Sequence, residues 1–593
     1  MHAPSPGRQF ALSGSSVGDE RLDGTIRFHG NAMDSGCAVA LSFRGALRGN
    51  WCNETTRAAV AALQKKTTLL GVAVAVERAM GGTDSSGPFS PLRRGAERLW
   101  LGRTPTLLAW PKRCILVSMV FVGFSLVAGI RRSFVEAAYS LQREANWKMF
   151  NNDTSSGNWT TDFIRSFQSS FTWGLFIGHV IGSALSYKYH ANSVFAAAIL
   201  LDSSLHLVVA GVMQVHQIFL VSLLFLQGVA DGLTFPAFFS LLRYWAPPLE
   251  RTRMFTAGYA GLHLGSLLSF QIFSVFESLF SSTAGLYFYG MLGILWVLPW
   301  FLLVSETPSK HPGVSTREKI YIIDSLQTQE HIPFSQPTGV PMRSILSSGP
   351  VWAILLASFG RTWTYNTLLH IMQWYYNDEI RYAKEIPYFL MMVSVVVSGY
   401  VADGLQEKNL MTTSTVRKTF GATGLLTEAV LFLSMVYVGP TDFAMVLYFF
   451  AMSIRELAVA GYMVNPLDIS PQYAGIIAGL SGAMTSLGNL TFYPMMNHIF
   501  NTWKIRHDHM TPLYAVSVIS GGLQFLAALI FVVFSSATEQ DWSKDDAASP
   551  SASGDALYGT SSGGGNNNND PYLDTTEVIV SDGGISLNVI VKR

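Results

Sequence analysis

Two arginines and an aspartate interrupt long apolar runs of this chain. Arg131 lies well inside a run at about 114–141, and Arg361 lies near the middle of another at 350–376. At about 1.5 Å of rise per residue, Arg361 is roughly 16 Å from the start of its helix, close to a bilayer midplane. A guanidinium is always charged, and its planar fork matches a carboxylate. Two of them around one water-filled cavity would hold an anion, for example a dicarboxylate. The plainer reading is that each pairs with an acid and fixes helix packing. Asp231 stands in the middle of an apolar segment that ends at Trp245 and breaks at Pro247 and Pro248. A carboxylate there is expensive in lipid and usually marks a function. Asp202 and His206 sit one turn apart on one helical face. They could relay protons at mildly acidic pH, but a mutually satisfied pair at a helix interface is the preferred reading.

Other polar residues inside apolar runs carry weaker signals. Arg132 and Glu136, at i and i+4, read as a structural pair. His179, His263 and His370 each stand alone and read as packing histidines. His370, about two and a half turns beyond Arg361, has the best chance of reaching the same cavity. Arg455 and Glu456 are adjacent, so their side chains diverge by about 100° and serve different neighbours. Gly479 and Ala483, four apart, suit close helix packing rather than a phosphate loop. No nucleophile motif, metal cluster or Walker loop is present, so neither an enzyme nor an ATP-driven pump is expected. The three cysteines, Cys37, Cys52 and Cys114, have neither zinc spacing nor an even count. Neither a metal nor a cofactor is therefore expected.

The elements that must position these residues follow from composition. Of 593 residues, 49% are hydrophobic and only 13% charged, about half the charged share of soluble domains. A net charge of +1 gives no argument for nucleic acid. Residues 1–111 are polar and mixed, and read as a disordered cytosolic arm. Six apolar segments fill 112–305, a polar loop covers 306–349, and six more segments fill 350–535. The acidic and then low-complexity tail, 536–593, reads as disordered and cytosolic. Arg113, Lys188, Arg243, Arg251, Lys310, Lys408 and Arg417 fall in alternate loops, which places those loops and both termini in the cytosol. The opposite loop after the first segment holds two glycosylation sequons, at Asn152 and Asn158. The expected fold is an all-α membrane protein of twelve transmembrane helices in two six-helix bundles, the major facilitator architecture.

At this point the sequence resembles a known family. QGVADGLTFPAFF and WAPPLERTRMFTAGYAG resemble the fourth- and fifth-helix signature of the vesicular glutamate transporter and sialin family of anion transporters. VFVGFSLVAGIRRSF, WAILLASFGRTWTY, TTSTVRKTFGATGLLTEA and VNPLDISPQYAGIIAGLSGAM extend the similarity over about 110–540. TTSTVRK and the ETPSKHP loop look most like the vesicular glutamate branch. The resemblance implies a secondary active transporter of glutamate-like organic anions, working by alternating access and driven by membrane potential, a proton gradient or both. It implies substrate contacts at Arg131 and Arg361 and proton sensing or coupling at Asp231. It leaves protons, chloride or sodium as coupled ions, and a vesicle (synaptic or endolysosomal) or plasma membrane as the location. Leu224 and Gln168 stand where that branch carries an arginine and a histidine, and Phe235 and Asn366 replace tyrosines lining its site. Glu136 is also foreign to the pattern. These departures keep alternatives open: an acidic sugar, nucleotide, urate or phosphate as substrate, or a transport-incompetent protein that keeps the fold.

Overall fold

The computed structural model describes residues 110–150, 161–213, 217–281, 283–327, 339–376, 381–504 and 510–548. Asn152, Asn158 and most of both terminal arms lie outside the described residues. Six helical rods precede the central loop. They are α1 (Lys112–Phe150), α2 (Thr161–Lys188), α3 (Ala191–Val212), a bent rod of α4 (Gln217–Gly232) and α5 (Thr234–Trp245), α6 (Arg251–Leu279) and α7 (Ala284–Leu303). The loop carries α8 (Thr316–Gln327) and α9 (Met342–Ser347). Six rods follow: α10 (Gly349–Tyr376), α11 (Arg381–Glu407), α12 (Thr413–Val438), a broken fourth rod, α15 (Ala474–Lys504) and α16 (Met510–Phe534). The broken rod starts as α13 (Asp442–Ile454), passes through a π-helical turn (Val459–Met463) and ends as α14 (Pro466–Ile469).

Nine of these rods are long and apolar enough to cross a membrane. The three that fall short are α2, α10 and α15. Their serines, threonines, asparagines and histidines account for the lower hydropathy. They are also rods that meet near the interface between the halves. Outward-facing Leu295, Leu298, Val397 and Val533 are well exposed, a surface that suits acyl chains. Close approach relies on residues without side chains. A Cβ at Gly261 or Gly265 of α6 would lie 2.1 Å from the carbonyl oxygen of Phe121 or Ser125 of α1. At Gly479 it would lie 2.6 Å from the carbonyl oxygen of His179, so α15 of one half lies against α2 of the other. The small-residue packing expected at Gly479 is therefore an interface between the halves.

Two rods expected to be continuous are not. The apolar run at 217–243 breaks between Gly232 and Thr234, just after Asp231. Pro236 has no N–H, so the Gly232 carbonyl four residues back loses its helical donor. At the same bend the Thr234 hydroxyl donates to the Asp231 carbonyl at 2.7 Å. The run at 442–463 breaks at Arg455 and Glu456, where the Glu456 N–H turns back three residues to Ser453. The π-turn that follows widens the same rod, a distortion often found at functional sites. A third difference concerns the tail, expected to be disordered from 536. Residues Asp541–Ala548 form α17, anchored by Gln540 N–H to the Ile469 carbonyl and by Ser543 to Ser470.

The face that carries the central loop is closed. Asp468 receives Arg251 at 2.9 Å from the first half and Arg417 at 2.6 Å from its own half, all three buried. Arg417 also donates to the Thr252 hydroxyl, and Arg243 to the Gln472 carbonyl at 2.8 Å. Carboxylates cap three helix starts here. Glu318 accepts from the backbone of Lys112 and Arg113, Glu306 from Ala191 and Asn192, and Asp403 from Thr252 and Arg253. Each satisfies N–H groups that a helix start leaves open and places negative charge at the positive dipole end. Toward the opposite face, α2 and α4 line an open cavity of about 560 Å³ bordered by Arg165, Ser166, Ser170, Trp173 and Phe225.

Candidate functional site

Each half brings its first and fourth rods together at mid-depth. In the first half, Arg131 of α1 meets Asp231 at the bend between α4 and α5. The contacts are 2.5 Å from Nη2 and 3.1 Å from Nε, both to Asp231 Oδ2. The Asp231 side chain is 5% accessible, whereas that of Arg131 is 45% accessible. A mid-helix arginine that remains so accessible lines a water-filled cleft rather than a packed core. Its guanidinium also lies over the Phe171 ring at 5.5 Å, within cation–π range.

In the second half, Arg361 of α10 meets Glu456 at the break after α13, at 2.6 Å. Here both partners are shut away, at 8% and 0% accessibility. The other Glu456 oxygen faces His263 Nε2 of α6 at 3.3 Å, so this carboxylate spans the two halves. Arg455, diverging as expected, pairs with Glu428 at 3.2 Å and lies 4.4 Å from the Tyr365 ring. Gln524 donates to Glu428 at 3.0 Å. First rod to fourth rod, basic to acidic, the two clusters repeat one another across the halves.

The remaining expectations divide. Arg132 and Glu136 form an ion pair at 3.0 Å, as the spacing predicts. Asp202 and His206 do not satisfy one another. His206 is held between the Ser133 hydroxyl and the Gln227 amide, each at 3.2 Å. Asp202 is 1% exposed, and no described residue completes a geometrically sound hydrogen bond to either carboxyl oxygen. Its electrostatic neighbours are Asp231, Gln227 and Arg131. One turn of separation thus sends the two side chains to different partners. Phe235 packs edge-on against Phe239, with ring centroids 5.1 Å apart, and Asn366 donates to Asn489 Oδ1 at 2.7 Å. His179 packs against Gly482 and faces Ser486, and His370 stacks edge-on with Phe500. Leu224 is buried in an apolar cluster with Phe134 and Phe167. Sequence reasoning missed the role of Glu456 and His263. They are 193 residues apart, and each reads locally as ordinary.

Charge decides what these clusters can do. Around Arg361 the arginines 361 and 455 face the glutamates 428 and 456. Around Arg131 one arginine faces two carboxylates, Asp231 and Asp202. With every acid ionised, neither cluster has positive charge to spare. Binding an anion there requires a carboxylate to move away or to take up a proton.

Comparison with known proteins agrees with the helical fold. The vesicular glutamate transporter 2.1 of Danio rerio is 28% identical over 456 residues, covering 75% of this chain and 77% of that protein. The probable vesicular glutamate transporter eat-4 of Caenorhabditis elegans is 29% identical over 465 residues, 76% and 77% of the two chains. Vesicular glutamate transporter 2 of Homo sapiens is 29% identical over 464 residues, 75% and 77%. Among solved structures, the proton:xylose symporter XylE bound to 6-bromo-6-deoxy-D-glucose superposes with a TM-score of 0.52 at 15% identity. It covers 71% of this chain and 96% of that one, a likeness of fold. The profile of the Major Facilitator Superfamily matches residues 110–493. With two six-rod halves, a basic residue in the leading rod of each and this match, the chain belongs to the Major Facilitator Superfamily, and its sequence similarity runs to the vesicular glutamate transporter branch.

Proposed function

We propose that this multi-pass membrane protein is a secondary active transporter of organic anions, with glutamate-like carboxylates as its substrates. The observation that carries the reading is the placement of Arg131 and Arg361. They come from the leading rods of the two halves, and each stands at mid-depth beside an acid that can yield to a substrate carboxylate. Arg131 is the more accessible and is the first charge a substrate meets. Arg361 completes the grip when the halves close. Phe235 and Asn366 shape the pocket between them, and Asp231 with Asp202 offers carboxyls for proton coupling. His206 holds Gln227 beside Asp202. The two halves rock about this centre, so that the closed loop face opens as the opposite face shuts. A membrane potential or a proton gradient supplies the energy, in a vesicle, endolysosomal or plasma membrane.

The test is uptake by proteoliposomes of the purified protein, with L-glutamate beside aspartate, sialic acid, ATP, urate and phosphate. An inside-positive potential and a pH gradient are imposed separately. Uptake of a carboxylate that disappears in Arg361→Ala supports the reading, with an expected loss of about 30-fold or more for a truncated, desolvated charge contact. Uptake unaffected by both Arg131→Ala and Arg361→Ala removes the mechanism. A second reading, a different anion, draws on the Phe235–Phe239 packing and the Asn366–Asn489 bond, which put an aromatic ring and an amide where the vesicular glutamate branch carries tyrosines.

A further inference from the structure

We infer that the Glu456 carboxylate is an internal stand-in for the substrate's carboxylate, and that one proton releases it from Arg361, so that each anion enters with a proton. This deepens the transport reading above and rests on it.

Arg361 is not vacant. Glu456 Oε1 holds it at 2.6 Å, with the pair almost wholly excluded from water. An anion can reach the guanidinium only by displacing Glu456. Displacement alone would leave a bare carboxylate in a buried site, which costs several kcal/mol. A proton taken up by the carboxyl as it leaves Arg361 removes that cost. One proton from solvent adds to a Glu456 oxygen, the Arg361 N–H donors pass to the incoming carboxylate, and the charge of the cluster returns to its starting value. On release the proton leaves, and Glu456 resumes its contact with Arg361.

Three further observations support the assignment. Glu456 sits where its rod is broken, between α13 and the π-turn, so its side chain is not held by a regular helical frame. It repeats the arrangement of Asp231 with Arg131 in the other half, where the acid likewise sits at a break in the fourth rod, one residue before the end of α4. It also touches His263 of the first half, so its release removes a contact that ties the halves together. The groups that face it are Arg361 on α10, His263 and Tyr259 on α6, Tyr462 in the π-turn, its neighbour Arg455, and Glu428 on α12.

The experiment compares wild-type protein, Glu456→Gln and Arg361→Ala in L-glutamate binding from pH 5.5 to 8 and in proteoliposome uptake. Wild-type binding should weaken by about tenfold per pH unit above the titration of the carboxyl, as linkage to one proton requires. A pH gradient, acidic outside and at zero potential, should drive accumulation. Glu456→Gln should bind with little pH dependence and exchange L-glutamate across the membrane, yet fail to accumulate it against a gradient. A Glu456→Gln protein that keeps the wild-type pH profile and proton-driven accumulation overturns the inference, while loss of binding in Arg361→Ala leaves the transport reading standing. If Glu456→Gln is not monodisperse, Glu456→Asp decides. It should move the midpoint of the pH profile, and an unmoved midpoint overturns the inference. Wild-type protein that binds and transports no L-glutamate overturns the reading on which the inference rests, and the inference falls with it.

Discussion

At the scale of single residues, the buried charges described above come with partners, Asp202 excepted, and each partnership has a direction. Asp468 binds two arginines, Glu456 binds an arginine and a histidine, and Glu306 accepts two backbone N–H groups at the start of α3. Glu306 lies beyond the end of α7, outside the apolar spans. Burial pushes its carboxyl above the usual range, against the opposing pull of the Asn192 and Ala191 N–H donors. A carboxyl raised in the folded state contributes stability that is full below its unfolded pKa and fades as pH climbs through its folded value. The thermal midpoint of wild type relative to Glu306→Gln should therefore be highest in acid and decline toward neutrality. A difference that stays constant with pH would contradict this. Truncation to alanine, which removes the cap, should cost about 1 kcal/mol.

At the scale of elements, apolar runs made the rods legible because lipid requires about 20 apolar residues per crossing. The same logic located Arg131, Arg361 and Asp231 as anomalies. It did not reveal their partners. Arg361 and Glu456 are 95 positions apart, and no local pattern links them. Nor did hydropathy show the breaks. Leu, Val and Ala fill a bent rod as readily as a straight one, although Pro236 carried a signal. The Asp202–His206 pairing failed because spacing fixes a shared face and not a shared partner. Glycine placement, by contrast, translates directly into contact. Gly479→Leu should wedge α15 from α2 and destabilise the loop-closed form by about 1–3 kcal/mol. Spin labels at the exposed Lys188 and Leu410, on the loop faces of the two halves, should report a longer distance in that variant. An unchanged distance distribution would refute the wedge.

At the scale of the whole molecule, the two halves meet through unlike seams. The loop face is fastened by buried ion pairs around Asp468, and mid-depth is bridged by Glu456 and His263. Toward the opposite face, α2 and α4 of the first half border an open groove. One consequence lies in Trp173, which is 51% exposed at that groove beside Phe225. Its indole is a built-in optical gauge. It stands on the exposed face of α2 with Ile177, Val180 and Ile181, and a rocking of the halves that repacks α2 against α4 would change its surroundings and shift its emission. The spectrum of wild type minus Trp173→Phe isolates that one lamp among 14 tryptophans. Adding a transported anion should shift the difference spectrum, with no label attached. A difference spectrum that stays fixed while transport proceeds would show that the groove between α2 and α4 keeps its shape through the cycle.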